Sequence, residues 1–253
     1  MLQLCVDILK VYLFYIIWFM TIEIKRIYDK AYAYQSGRLM GTDVDPEYSI
    51  GTKAALLKLC TDLPNNNLLD LGAGDGGLGK MLKGTLPDLK WHGVDISHVG
   101  LLQAKYRFQN LLPVVGSGLQ LPFRDNFFGA VLAADTLEHI PQPEEALLEI
   151  RRILSQEGKF VLNVPAPYSL PHWFINNFIK KMPSLRLSID LIQAVFARTL
   201  LFGNPIFQPI DNHFKTDKWI KLLEAADLKI LESFSYPIER GKLPLSTIIA
   251  AQK

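Results

Sequence analysis

Between Asn67 and Val164, short continuous apolar runs alternate with segments whose apolar residues recur at helical spacing. Asn67–Leu71 is a short apolar run ending in glycines, the signature of a buried parallel strand, and Trp91–Asp95, Leu112–Val115, Phe128–Ala134 and Lys159–Val164 read as four further strands. Helices are predicted from Leu78 to Leu82, Val99 to Gln109 and Glu144 to Leu154, the last clearly amphipathic. Upstream, residues 49–62 place Ile50, Ala54, Leu57 and Cys60 on one helical side. Strand and helix alternating through short links predict a doubly wound α/β sheet. The rhythm breaks from Pro165 to Ile210, where prolines at 165, 167, 171, 183, 205 and 209 surround helical pieces near 172–181 and 187–202. Thr216 then serves as the expected N-cap of a helix ending near Ala226. Lys229–Ser235 and Ser246–Ala251 read as an antiparallel strand pair at one sheet edge. The expected fold is therefore a mostly parallel sheet with an antiparallel edge strand and an inserted helical cap at 166–211.

The N-terminus follows another pattern. Val11 to Ile22 is apolar on every side of a helix. Twelve residues reach about 18 Å, short of a hydrocarbon core of about 30 Å. Extension back to Leu2 gains a spanning length but encloses Asp7 and Lys10, which stand on one face and can pair. A secretory signal does not fit, because no basic region precedes the run and no small-residue cleavage site follows. Lys25, Arg26 and Lys30 do follow, which favours a cytoplasmic location for the rest of the chain. The expected division is an apolar helix at 1–26, spanning or lying on a membrane, and a domain at 27–253. The alternative is a helix docked on the protein itself or on another subunit.

Composition narrows the function classes. The chain has 253 residues, 49% of them hydrophobic, which excludes a disordered protein. Its 27 basic and 25 acidic residues leave a net charge of +2, too balanced for a dedicated nucleic-acid binder. Cys5 and Cys60 form neither a disulfide framework nor a metal-ligand spacing, so no metal is expected and a reducing, cytoplasmic compartment fits. Mean hydropathy is +0.14, high for a soluble enzyme, and the N-terminal run is its visible source.

Candidate chemistry begins at Asp70-Leu-Gly72-Ala73-Gly74-Asp75-Gly76-Gly77, a strand-to-helix turn. Glycines there permit positive φ and close approach of a ligand to backbone N–H groups. Gly72, Gly74 and Gly77 also satisfy a dinucleotide fingerprint, a weak signal by itself. Asp95, at the end of the second strand, can accept bonds from both hydroxyls of a ribose, so an adenosine of either NAD or S-adenosylmethionine fits. Charge separates the two. Asp70 beneath the loop and Asp75 within it would repel a pyrophosphate but suit a sulfonium and an ammonium.

These residues, with others downstream, resemble the class I S-adenosylmethionine-dependent methyltransferases, in particular the branch containing the ubiquinone and menaquinone C-methyltransferases. Leu68 to Gly76, Gly93 to Ser97, Leu121 to Phe128 joined to Asp135 to Ile140, and Ala146 to Leu162 match four motifs in order. Asp211 to Thr216 is similar to the stretch before the last two strands. The resemblance implies a Rossmann-like fold and S-adenosylmethionine as cofactor. It implies that Asp70 and Gly72, Ala73, Gly74, Asp75 and Gly76 hold the methionine portion, Asp95 the ribose, and Ile96 the adenine face. In the Ser117-Gly118-Leu119 loop, Ser117 stands where the family usually has an acid for the adenine amino group. Ala226-Asp227-Leu228 replaces a family glycine.

Methyl transfer is an in-line displacement that positioning accelerates strongly, and a base is needed only where the acceptor must lose a proton. Asp135, Glu138 and His139, just past the fourth strand, and His213 after the insertion are the candidates, with Asp135 also within reach of cofactor. His92 and His98 read as structural, and His172 as either. The insertion carries Tyr168, Trp173, Phe174, Phe178, Phe196, Phe202 and Phe207 in or beside it. From 167 to 221 there are seven basic residues against three acids, suited to a lid over an apolar, lipid-like acceptor near anionic headgroups. A plain cap with its own small core, an NAD-dependent oxidoreductase, and a non-catalytic adenosyl-binding protein remain the alternatives.

Overall fold

The computed structural model describes residues 25–26, 28–29, 62–77, 88–165, 212, 214–236 and 246–253. The segments expected to be helical at 1–26 (all but its last two residues), 49–62 (all but its last residue) and 78–82, the 166–211 cap and His213 lie outside them.

Seven strands form one sheet: β1 (Asn67–Leu71), β2 (Lys90–Asp95), β3 (Leu112–Val115), β4 (Phe128–Ala134), β5 (Leu154–Pro165), β6 (Lys229–Tyr236) and β7 (Ser246–Gln252). Their order is β3-β2-β1-β4-β5-β7-β6, with β1 to β5 parallel and β7 antiparallel to both neighbours. The antiparallel strand belongs to the expected edge pair, and within that pair β6 is outermost. Strand order reverses between β1 and β4, and the crevice beyond their carboxyl ends is where such sheets bind ligands.

Period-two alternation sends side chains to two cores. Leu69, Leu71, Val131, Ala133 and Leu162 pack on one face with Leu147 and Ile150 of α2 (Pro143–Ile153) and Trp219 and Leu223 of α3 (Thr216–Ala225). Leu68, Trp91, Ala130, Leu132 and Val161 pack on the other with Ala104 of α1 (His98–Arg107). Helix α2 has its signals in place: Pro143 in the first turn, Glu144 and Glu145 at the positive end, Arg151 and Arg152 at the negative end.

Two local expectations are corrected. Lys215, not Thr216, is the N-cap of α3, and it makes no side-chain capping bond. Thr216 starts the helix proper, and its hydroxyl lies 3.4 Å from that of Thr247 on β7. Strand β5 begins at Leu154, directly after α2, though continuous pairing with β4 starts at Lys159. Among the described residues no helix is long and apolar enough to cross a membrane.

Candidate cofactor crevice

The glycine loop is fastened to β2 before any ligand is considered. Gly72 and Ala73 both donate backbone N–H to Val94 O, at 2.7 and 3.0 Å. Gly72, Gly74 and Gly76 have φ of +78°, +50° and +91°, the region that L side chains avoid. A β-carbon on Gly72 would lie 2.1 Å from Thr136 Oγ1, and one on Gly76 would lie 2.8 Å from the Phe108 ring. The glycines are thus dictated by backbone shape and by crowding beneath the loop.

Asp95 sits at the mouth of this turn, almost fully buried. Its Oδ2 accepts from Gly74 N at 2.9 Å and its Oδ1 from Ser97 N at 2.7 Å. Burial pushes its carboxyl up to about 6, against those bonds and with the charge of Asp29 adding to the rise. Asp70, on the same sheet face, is 3% exposed, and its Oδ2 has no hydrogen-bond partner among the described residues. Burial raises Asp70 to about 7, with the Trp91 indole beside it opposing the rise and the nearby Asp95 charge adding to it. A buried carboxylate oxygen left without a donor calls for a positively charged or N–H-bearing guest.

Asp75 behaves differently from the sequence expectation of a charge open to the ligand. It is fully buried and its Oδ2 accepts from Arg107 Nη1 of α1 at 2.5 Å. Its charge is matched inside the protein, so the attraction for a cation rests on Asp70 and Asp95.

Ile96 is half-buried beside Asp95. Ser117 Oγ accepts from Leu119 N at 3.2 Å, closing a turn that holds Ser117, Gly118 and Leu119 together. A hydroxyl has two acceptor lone pairs, so Ser117 can still receive one N–H. Gly118 is packed under Ile140, where a β-carbon would come within 2.7 Å of Cδ1. Gly116 N donates to Asp95 O at 3.0 Å, which joins this loop to β2.

Past β4 the chain turns sharply. Asp135 adopts φ +48°, a left-handed conformation uncommon for a residue other than glycine, and its N–H donates to Asn163 O at 2.9 Å. The 3-10 turn Leu137–His139 follows. Glu138 is buried, and its Oε1 lies 3.7 Å from His139 Nε2. Asn212 then reaches across: its N donates to Glu138 O at 2.7 Å and its Nδ2 to Ile140 O at 2.8 Å. The chain leaving the insertion is thereby tied to the turn carrying Glu138 and His139. His213 is outside the described residues, although both its neighbours are within them.

The structure thus gathers Asp70, the glycines, Asp95, Ile96, Ser117, Gly118 and Leu119 around one crevice. It places Asp135, Glu138 and His139 at the adjacent strand end. Sequence reading missed Thr136, Arg107, Asp29 and the clasp made by Asn212, because each acts through a partner distant in the chain. His92 sits edge-on to Phe123, Phe127 and Phe128, a packing role, and burial followed by the Lys90 charge lowers its pKa.

The family described as "Methyltransferase domain" matches residues 69–162, from the glycine loop through β5. The chain belongs to the class I S-adenosylmethionine-dependent methyltransferases. S-adenosylmethionine is the cofactor of this family, which sets the NAD alternative aside. An uncharacterised protein of Methanocaldococcus jannaschii is 31% identical over 71% of this chain and 77% of its own. A demethylmenaquinone methyltransferase of Thermotoga maritima is 30% identical over 42% of this chain and 47% of its own. A fatty-acid O-methyltransferase of Mycolicibacterium smegmatis is 29% identical over 44% of this chain and 42% of its own. The chain spans less than half the length of several curated relatives it matches, between 37% and 47%. The fold is shared with a crystal structure of a SAM-dependent methyltransferase from Aquifex aeolicus, at TM-score 0.56 and 14% identity, covering 82% of this chain and 93% of that one.

Proposed function

We propose that this chain transfers the methyl group of S-adenosylmethionine to a small, apolar, lipid-like acceptor. One observation carries the first half: two buried carboxylates, Asp70 and Asp95, flank a glycine turn, and Asp70 Oδ2 has no donor among the described residues. When bound, the cofactor supplies a methyl group already activated by a positive sulfur. The protein's own part is to hold it. Asp70 meets the ammonium, the side-chain-free glycine turn leaves room for the methionine portion, Asp95 takes the ribose, and Ile96 and Ser117 take the adenine. Asp95 and Ser117 are fixed by bonds from backbone N–H groups before binding, so little reorganisation of these two remains.

Acceptor chemistry falls to the other side of the crevice. His139, held beside Glu138, receives the acceptor's proton where one must leave, and the buried carboxylate favours the imidazolium so formed. Asp135 takes part from the same edge, and His213 remains a candidate on the sequence alone. The apolar acceptor is supported by the aromatic and basic insertion and by relatives named for demethylmenaquinone and fatty acids. The apolar run at Val11–Ile22, with Lys25, Arg26 and Lys30 behind it, supports a membrane-facing role for residues 1–26.

The test is incubation of the full chain with methyl-labelled S-adenosylmethionine and separate pools of fatty acids, demethylated quinols and water-soluble amines, with products identified by mass spectrometry. Label in the first or second pool is expected. Label only in the amines overturns the acceptor assignment, and binding without label in any pool favours a non-catalytic adenosyl-binding protein.

A further inference from the structure

Ahead of the sheet, residues 25, 26, 28 and 29 are helical, and Asp29 reaches the start of α1, 68 residues away in the chain. Its Oδ1 accepts from Ser97 Oγ at 2.6 Å and from Val99 N at 3.3 Å. Lys25 Nζ donates to its other oxygen at 3.1 Å. Ser97 is fully buried, and its hydroxyl and backbone N–H together make three directed bonds. Its Oγ accepts from Gly100 N at 3.1 Å as the N-cap of α1, and its backbone N donates to Asp95 Oδ1 at 2.7 Å. A single run of hydrogen bonds therefore leads from Asp29 through Ser97 to Asp95 and on to Gly74.

We propose that Asp29 is a positioning residue of the cofactor site, fixing Ser97 so that the Asp95 carboxylate stays set for the ribose hydroxyls. This rests on the reading of the crevice as an S-adenosylmethionine site. A capping hydroxyl uses a lone pair on the helix N–H, and its own proton still needs an acceptor. Asp29 is that acceptor, and a carboxylate makes the bond short and strong. Its charge also lies at the positive end of α1, where an anion is favourable. With the hydroxyl locked, the Ile96–Ser97 turn cannot rotate its N–H away from Asp95. The helical segment bearing Asp29 thus belongs functionally to the cofactor site.

The experiment is calorimetric titration of the full chain with S-adenosylmethionine, below the melting temperature of each protein, with folding checked by circular dichroism. Asp29→Ala is expected to weaken binding about tenfold. Asp29→Asn, which keeps an acceptor oxygen, is expected to stay within about threefold of the parent. Ser97→Ala also weakens binding, and adding Asp29→Ala to it weakens binding little further, because both act through one contact. Parental affinity in Asp29→Ala, an Asn variant as weak as the Ala variant, or full additivity in the double variant overturns the proposal. Should Asp29→Ala not fold, Ser97→Cys keeps the cap's size with a weak donor: a severalfold loss supports the proposal and parental affinity overturns it. A parent that does not bind S-adenosylmethionine at all refutes the crevice assignment instead, so the two failures are distinct.

Discussion

Gly72 in the glycine loop and Thr136 after β4 are interlocked: a β-carbon at position 72 would stand 2.1 Å from Thr136 Oγ1 and 2.6 Å from Cγ2. Thr136 cannot swing aside freely, because its hydroxyl donates to Ala134 O at 2.9 Å. Gly72→Ala therefore combines a left-handed backbone with overpacking and is expected to destabilise the fold by about 2–4 kcal/mol, with cofactor binding lost. Adding Thr136→Ala should recover about half of the stability, since space returns but the backbone strain stays. Chemical denaturation of the single and double variants checks this. No recovery would show that Thr136 is not what excludes the methyl group.

The carboxylates set a pH dependence with a definite sign. Asp70 and Asp95 are raised from 3.8 to about 7 and about 6, chiefly by burial. A raised carboxyl favours the protonated fold, so its stabilising contribution is complete below about pH 4 and lost as pH rises through 6 to 7. The cationic cofactor favours the ionised forms and reverses the trend. The rise in melting temperature caused by S-adenosylmethionine should thus be larger at pH 8 than at pH 5.5. Asp70→Asn should stabilise the ligand-free chain at pH 8 while weakening cofactor binding. A thermal-shift series flat in pH would contradict this electrostatic account.

Arg152 organises the loop at Leu121–Asp125. It donates to Glu149, to Asp125 Oδ1 at 2.8 Å, and to the carbonyls of Phe123 and Leu121 at 2.8 and 2.9 Å. Glu149 in turn accepts from Leu121 N at 2.8 Å, and Arg152 is the main reason its pKa lies below the usual value. Lysine has one compact ammonium in place of a planar fork and cannot make this set. Arg152→Lys is expected to lose about 1.5–3 kcal/mol in urea denaturation. The Glu149 share of that stability is present above about pH 4.5 and fades as pH falls through its lowered folded value. Unchanged stability would mean that the loop is held by packing alone.

Within Ala226-Asp227-Leu228, the stretch expected to replace a family glycine, Asp227 takes the backbone conformation that glycine favours. Its φ is +57°, the left-handed position that ends α3, and Arg151 of α2 pairs with its carboxylate. The side chain is 83% exposed, so the pair adds little. Asp227→Gly should be neutral or stabilising by up to about 1 kcal/mol, with cofactor binding unaffected. A clear loss of stability would show that the ion pair, rather than the backbone, matters there.

The central strands were legible because burial on both faces forces uninterrupted apolar runs, as in Leu68–Leu69 and Phe128–Ala133, whereas the edge strand β3 is largely exposed. The crevice was legible for a related reason: Gly72, Gly74, Gly76 and Asp95 are fixed by local backbone geometry at strand ends. What stayed hidden depends on partners far along the chain. Asp75 reads as a charge open to ligand until Arg107, 32 residues later, is seen to neutralise it. Thr216 reads as a cap until Thr247 is seen beside its hydroxyl. Nothing local marks Asp29 as a partner of Ser97, nor Asn212 as the clasp on Glu138 and Ile140.

Equilibrium binding of labelled S-adenosylmethionine and of NADH to the full chain, beside Asp95→Asn, tests the central claim most directly. The account predicts saturable binding of S-adenosylmethionine, none of NADH, and a loss of at least tenfold in affinity for the folded Asp95→Asn variant. NADH bound in preference, or S-adenosylmethionine held equally well without the Asp95 carboxylate, would contradict it.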